Sequence, residues 1–143
     1  KRFQRATGDT QFTSALAKGY AYFRRNFVEE SGRPMYYHDR AMPIDIQCAA
    51  QIIDTFAFFS QEDAGGLDAA QRVADWTIAN MQDRDGHFYY RDLGWKKIRT
   101  PMLHWGQGTM LKALAHLLDR LRDGSRSEED PASARREMSA TRI

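Results

Sequence analysis

The sequence contains an internal repeat with an offset of 54 residues, and this repeat limits the folds that the chain can adopt. A glycine-led segment with a Tyr-Tyr pair occurs as Gly32–Asp39 and recurs as Gly86–Asp92. The preceding residues recur with it, since Asn26 and Asn80 are also 54 positions apart. A proline and an apolar helical pattern follow each copy. Self-similarity at a fixed period is the signature of a repeat architecture, so the two copies predict two similar supersecondary units.

Each unit is predicted to contain two helices joined by the aromatic loop. The first helix of unit one carries apolar residues at spacings of four, three and four, which place them on one helical face. Its second helix is apolar nearly all round and is therefore predicted to be buried. In unit two, residues 87–91 and 96–99 flank a turn and predict a small β-hairpin. The predicted helices cover residues 14–30, 44–60, 67–82 and 101–122.

These elements predict an all-α fold with tandem αα-hairpins of the α/α toroid type and short β-hairpin-like loops. Hairpin one covers residues 14–60 and hairpin two covers residues 66–122. Two hairpins form only a partial toroid, whose open side should expose an apolar helix face. We therefore expect a homodimer or a missing neighbouring domain. Residues 1–13 form an aperiodic lead-in, and residues 123–143 form a polar tail, for which a short helix, disorder and a vector-derived sequence are alternatives.

Composition and motif content argue against several functional classes. The 21 basic and 19 acidic residues are spread along the chain, so there is no concentrated basic patch for nucleic acid. There is no run of about 18 apolar residues, which argues against a membrane span. Cys48 is the single cysteine and is interpreted as a small buried hydrophobe. Because no signal-peptide, metal-site or cofactor pattern is present, we expect a cytoplasmic protein without a metal or a cofactor.

The loop of hairpin one gathers the candidate catalytic residues Asp39, His38 and Asp45. Asp45 stands in the first turn of a predicted helix, where the helix dipole favours its ionised form. It could act as a base only if burial raised its pKa. The alternative is that Asp45 caps the helix and Asp39 orders the loop through local hydrogen bonds. Candidate substrate-binding residues in the same loop are Tyr36, Tyr37 and Arg40.

A second candidate group stands at the start of the fourth predicted helix. Trp105 offers a surface that can stack on a sugar ring, and His104 and Gln107 can bond hydroxyl groups. His104 and Gln107 are three residues apart and so share a helix face. The alternative is that Trp105 fills the core while His104 and Gln107 bond loop backbone.

The Tyr-Tyr pairs add Tyr89 and Tyr90 to the candidate substrate-binding residues. Neighbouring side chains of an extended segment point to opposite faces, so one tyrosine of each pair is expected to pack inward. A single site seldom needs the same pair twice, which favours a structural role for the repeated pairs.

Three segments resemble the C-terminal region of uncharacterised bacterial proteins associated with cell-surface polysaccharide biosynthesis. They are residues 36–46 (YYHDRAMPIDI), 74–83 (ADWTIANMQD) and 102–107 (MLHWGQ), within residues 14–121. Some of those proteins are labelled aminolevulinate dehydratase, but this chain has no lysine motif or metal-binding cysteines of the kind that such enzymes need. The repeat is also similar to six-hairpin toroid proteins, namely unsaturated glucuronyl hydrolases, acylglucosamine epimerases, uronyl epimerases and polysaccharide lyases.

The resemblance implies a carbohydrate-related toroid domain that binds or processes a bacterial surface polysaccharide or a sugar containing uronic acid. If such a domain is catalytic, hydrolysis, elimination and epimerisation are the reactions to consider, with Arg40 holding a carboxylate. The alternative is a non-catalytic helical-repeat module that mediates protein–protein or interdomain contacts. A concave pocket that gathers Asp45, His104, Trp105 and tyrosine side chains would favour the sugar site. Burial of Trp105 in the core, with Asp39 and Asp45 paired to backbone, would favour the module.

Overall fold

Helices dominate the structure, a computed structural model that describes residues 1–129. Three two-residue strands and a π-helical turn stand between the helices. The predicted helical class is therefore confirmed, whereas the toroidal arrangement stays a prediction. The elements are α1 (Arg2–Thr7), α2 (Thr13–Asn26), β1 (Ile44–Asp45), α3 (Ile46–Phe59), α4 (Gly66–Met81), β2 (Arg91–Asp92), β3 (Lys97–Ile98), the π turn (Leu103–Gly108) and α5 (Thr109–Glu129).

The core forms around α3, which packs against both α4 and α5. The predicted burial of this helix is confirmed, because apolar residues on most of its circumference are shielded from water. Helices α3 and α5 run in the same direction, since Gly106 lies against Ile46 near their starts and Arg120 bonds Ser60 at 3.4 Å near the end of α3. Helix α4 runs in the opposite direction and begins beside Phe56 and Ser60. The second helices of both hairpins therefore start at the same end of the molecule.

The repeat predicted from sequence extends to individual backbone hydrogen bonds. Gly32 N donates to Glu29 O at 2.9 Å, and Gly86 N donates to Asp83 O at 3.0 Å, with 54 residues between the two bonds. Both glycines have positive φ, 86° and 94°, a conformation that disfavours residues with a Cβ. The same offset relates the backbone bonds Met35–Phe27 to Tyr89–Met81 and Glu29–Arg33 to Asp83–His87. It also relates two bonds that asparagine side chains donate to backbone carbonyls, Asn26–Tyr22 and Asn80–Trp76.

A small antiparallel sheet joins the two loops at the end of the molecule where α3 and α5 begin. Strands β2 and β3 form the hairpin that the sequence predicts, with Gly94 in the turn at a φ of 87°. Strand β1, which was not predicted from the sequence, pairs with β2 and places Asp45 opposite Arg91. Two residues are too few to show the alternating pattern by which strands are recognised.

The structure corrects three expectations about the helices. The lead-in at 1–13 contains α1, although its sequence shows no periodicity. Helix α5 continues through Asp123 and Gly124 to Glu129, past the predicted stop, because one glycine costs a helix only about 1 kcal/mol. The fourth helix, predicted to begin at residue 101, begins instead with the π turn, in which Leu103 is 81% exposed. The predicted short helix in the tail beyond residue 129 lies outside the described residues.

Candidate functional site

Asp45 uses both of its carboxylate oxygens in structural contacts. Asp45 is only 4% exposed and lies at the N-cap of α3. Oδ1 accepts a hydrogen bond from Gln47 N at 2.9 Å, which satisfies a free amide of the first helical turn. Oδ2 accepts from Arg91 Nε at 2.9 Å and from Nη2 at 2.6 Å, and this pairing raises the pKa of Arg91. The expectation that Asp45 caps the helix is confirmed, whereas its role as an acid–base group stays a prediction.

Arg91 connects Asp45 to an exposed group of aromatic rings. Its guanidinium carbon lies 4.8 Å from the ring centre of Tyr90 and 5.7 Å from that of Tyr36. The ring centres of Tyr36 and Tyr37 are 4.6 Å apart, and Arg40 lies 4.4 Å from the ring centre of Tyr37. Cations at these distances are attracted by the electron-rich ring faces. We call this surface the aromatic ledge, and its members are Tyr36, Tyr37, Arg40, Tyr90 and Arg91.

The Tyr-Tyr pairs differ in burial because the structural repeat shifts them by one residue. Tyr89 is buried and Tyr90 is partly exposed, as expected for an extended segment. Tyr36 and Tyr37 are both exposed, so the expectation is wrong for the first pair. The residue 54 positions before Tyr89 is Met35, and its backbone occupies the position that Tyr89 occupies in the second loop.

The other two candidate catalytic residues, Asp39 and His38, are exposed to solvent. Asp39 is exposed and forms an ion pair with Arg40 at 3.5 Å. Among the described residues it makes none of the local backbone bonds that would order the loop. His38 is exposed too, with its ring centre 6.2 Å from that of Tyr22. The structure therefore brings neither residue into a pocket with Asp45.

Gln107 ties the π turn to the loop of hairpin two. Its Oε1 accepts from Phe88 N at 2.9 Å, and its Nε2 donates to Phe88 O at 2.8 Å. The expectation that Gln107 bonds loop backbone is therefore confirmed. Trp105 is half exposed, not part of the core, and its ring packs edge-on against His104 at 4.9 Å.

An apolar groove of about 870 Å³ runs along α5 beside the loop of hairpin two. Leu111 and Leu118, which line it, are 73% and 48% exposed, so the groove opens to solvent. It contains His104 and Gln107 but not Asp45, Trp105 or any tyrosine. The groove thus fails to gather the residues expected of a sugar pocket. Its full lining is Gly86, Phe88, Leu103, His104, Gln107, Gly108, Leu111, Leu114, Ala115 and Leu118.

A partly buried polar cluster between α3 and α5 was not predicted from the sequence. Asp54 Oδ2 accepts from Lys112 Nζ at 2.7 Å, and Oδ1 contacts His116 Nδ1 at 2.8 Å. Burial would raise the pKa of Asp54, but the bonds from Lys112 and His116 outweigh burial and lower it. The only sequence signal was one charged residue in an otherwise uncharged helix. Its partners are about 60 residues away and cannot be read from local spacing.

The described residues offer little support for a reactive thiol at Cys48, a metal site or a membrane span. Burial raises the pKa of the Cys48 thiol to about 11, so little of the reactive thiolate forms near neutral pH. Within residues 1–129 no group of His, Cys, Asp or Glu side chains could hold a metal ion. No described helix is long and apolar enough to cross a membrane. Comparison with protein-family models, curated proteins and solved structures finds no match, so the resemblance noted from sequence stays a prediction.

Proposed function

We propose that this chain is a helical-repeat module that works through contacts of an exposed surface on hairpin two and not through catalysis. The observation that carries this proposal is the groove on α5, where Leu103, Leu111 and Leu118 are exposed around Phe88. Contiguous exposed apolar surface of this kind marks an interaction site more often than chance scatter of single residues does. The proposed occupant is an α-helix from another αα-hairpin, lying across the groove as α4 lies across hairpin one.

The use of Asp45 supports a non-catalytic role. A general base needs an accessible lone pair within hydrogen-bond reach of the proton that it removes. In this structure one oxygen of Asp45 caps α3 and the other binds two nitrogens of Arg91. The remaining candidate carboxylate, Asp39, is exposed and lies outside the groove.

A helical peptide with the sequence of α4 provides a direct test of the groove. The peptide carries a covalent staple on the face that points away from α3 in the folded protein, so that it is helical before it binds. In methyl NMR spectra we expect the leucine methyls of Leu111 and Leu118 to shift, while those of Leu16, which lies on α2, stay unchanged. The Leu111→Glu variant and a scrambled peptide are the controls. Equal shifts with both peptides, or none with either, would contradict the proposal.

A second candidate function is recognition of an acidic sugar on the aromatic ledge. The observation that favours it is the exposure of Tyr36 and Tyr37 beside Arg40, because aromatic faces stack on sugar rings and arginine binds carboxylates in a planar fork. This function would match the polysaccharide-related role that the resemblance implies. Binding there needs no acid–base group.

Thermal shift against a panel of uronic acids and their oligosaccharides tests the aromatic ledge. A bound ligand raises the unfolding temperature by an amount that grows with the logarithm of its concentration relative to Kd. We expect the shift to disappear in Tyr37→Ala and in Arg40→Ala. Trp95→Ala is the matched control, since Trp95 is an exposed aromatic outside the ledge. Stabilisation that survives in both ledge variants would place the ligand elsewhere.

A further inference from the structure

Hairpin one shows how a following helix fills the space beside a loop glycine. Gly32 is buried, and a Cβ at this position would overlap the carbonyl oxygen of Arg72 in α4. Pro34, two residues later, is almost completely buried. The backbone of α4 therefore lies directly against the glycine turn of the preceding hairpin.

Hairpin two has the same turn without the following helix. Gly86 is the repeat equivalent of Gly32, and a Cβ there would meet no atom within 4 Å. Phe88, the equivalent of Pro34, lines the groove together with Gly86 and the leucines of α5. The groove is thus the open counterpart of a surface that α4 covers in hairpin one.

Helix α2 has an exposed stripe that is the repeat counterpart of a shielded stripe on α4. In α4 the stripe is buried or partly buried, and it begins at Gly66 against the backbone of α3. The corresponding stripe of α2 is exposed along its length, with Phe12 at 54% and Tyr22 at 49%. The stripe of α2 consists of its N-cap residue Phe12 together with Ala15, Gly19 and Tyr22. Its counterparts on α4, 54 positions later, are Gly66, Ala69, Val73 and Trp76.

The geometry points to head-to-tail association, in which the α2 stripe of one copy of this chain covers the α5 groove of a second copy. The two open surfaces are the repeat equivalents of the two surfaces that meet where α4 packs on hairpin one. This inference rests on the proposed function, because it requires that the groove accepts a helix. The contact is heterologous, so each added copy leaves one groove and one stripe open unless a ring closes.

Sedimentation velocity of complementary variants tests this arrangement. Leu111→Glu places a charge in the groove, and Gly19→Arg places one in the stripe. Both are expected to fold, since Leu111 is largely exposed and a side chain at Gly19 meets nothing within 4 Å of its Cβ. Circular dichroism checks that the helical content of each variant is unchanged. Ala21→Arg is the control, because Ala21 is exposed on α2 away from the stripe.

We expect the wild type and Ala21→Arg to associate as concentration rises, and each edge variant alone to stay monomeric. An equimolar mixture of the two edge variants should form a 1:1 heterodimer that grows no further, because one copy keeps its stripe and the other keeps its groove. A monomeric wild type, or a mixture that stays monomeric, overturns the inference. If the α4 peptide still shifts the Leu111 methyls of a monomeric wild type, the proposed function stands and only the second copy as partner is excluded.

Discussion

The carboxylate of Asp54 holds the Nδ1 atom of His116 at 2.8 Å across the interface of α3 and α5. The same carboxylate binds Lys112 at 2.7 Å, so one buried acid links the two parallel helices of the core. Loss of these partners would leave the carboxylate of Asp54, which is largely shielded from water, without a counter-charge, and this is costly. Because these contacts lower the pKa of Asp54, we expect the packing of hairpin two on hairpin one to depend on pH.

Acid should weaken the protein partly through Asp54. Its pKa is lowered in the folded state, so its contribution to stability is complete above the pKa of the unfolded chain, about 4, and is lost as pH falls through the folded value. We expect Asp54→Asn to reduce the free energy of unfolding by about 1–3 kcal/mol at neutral pH. Urea denaturation should show that this deficit shrinks at acidic pH. A deficit that is the same at both pH values would contradict a role for the ionised carboxylate.

Asp45 and Arg91 should be strongly coupled in stability. Asp45→Ala removes a cap worth about 1 kcal/mol and also leaves Arg91 without its carboxylate. In a double-mutant cycle with Arg91→Met we expect a coupling free energy of about 0.5–3 kcal/mol. Chemical denaturation of the four proteins gives this value. Additive effects would show that the two side chains act independently.

The two loop glycines should respond differently to the same substitution. Gly86→Ala costs about 1–2 kcal/mol, because a Cβ is disfavoured at positive φ. Gly32→Ala adds an overlap with the backbone of α4 and should cost about 1–3 kcal/mol more. Denaturation at low protein concentration compares the monomers. Equal losses would mean that α4 does not press on Gly32.

Gln107 should stabilise the protein through the backbone of Phe88. In Gln107→Ala the amide and carbonyl of Phe88 lose their partner, with an expected cost of about 1–3 kcal/mol. Gln71→Ala is the control, since Gln71 is exposed on α4 and its loss should change stability by less than about 0.5 kcal/mol. Thermal unfolding of both variants checks the difference. A loss no larger than that of the control would mean that water replaces Gln107 at no cost.

Sequence periodicity predicted α2, α3 and α4 to within a few residues. Each of these helices packs apolar side chains against the core, and this packing requires apolar residues at helical spacing. The repeat was equally readable, since Gly32 and Gly86 need the same backbone conformation. Strand β1 and the π turn were missed. Strand β1 exists only through its pairing with Arg91 and Asp92, which are about 46 residues away. The π turn is held by a local bond from Gln107 N to Met102 O at 3.1 Å, and apolar spacing does not distinguish it from an α-helical turn.

The sequence by itself determined the helical hairpins, their repeat and the glycine turns, because these depend on local spacing and backbone conformation. Only the tertiary structure decided what the polar candidates do. In the structure Asp45 binds Arg91, His104 lines the groove on α5, and Asp54 contacts His116. The physical reason is that a side chain's role depends on burial and on partners tens of residues away, and local spacing carries no information about either.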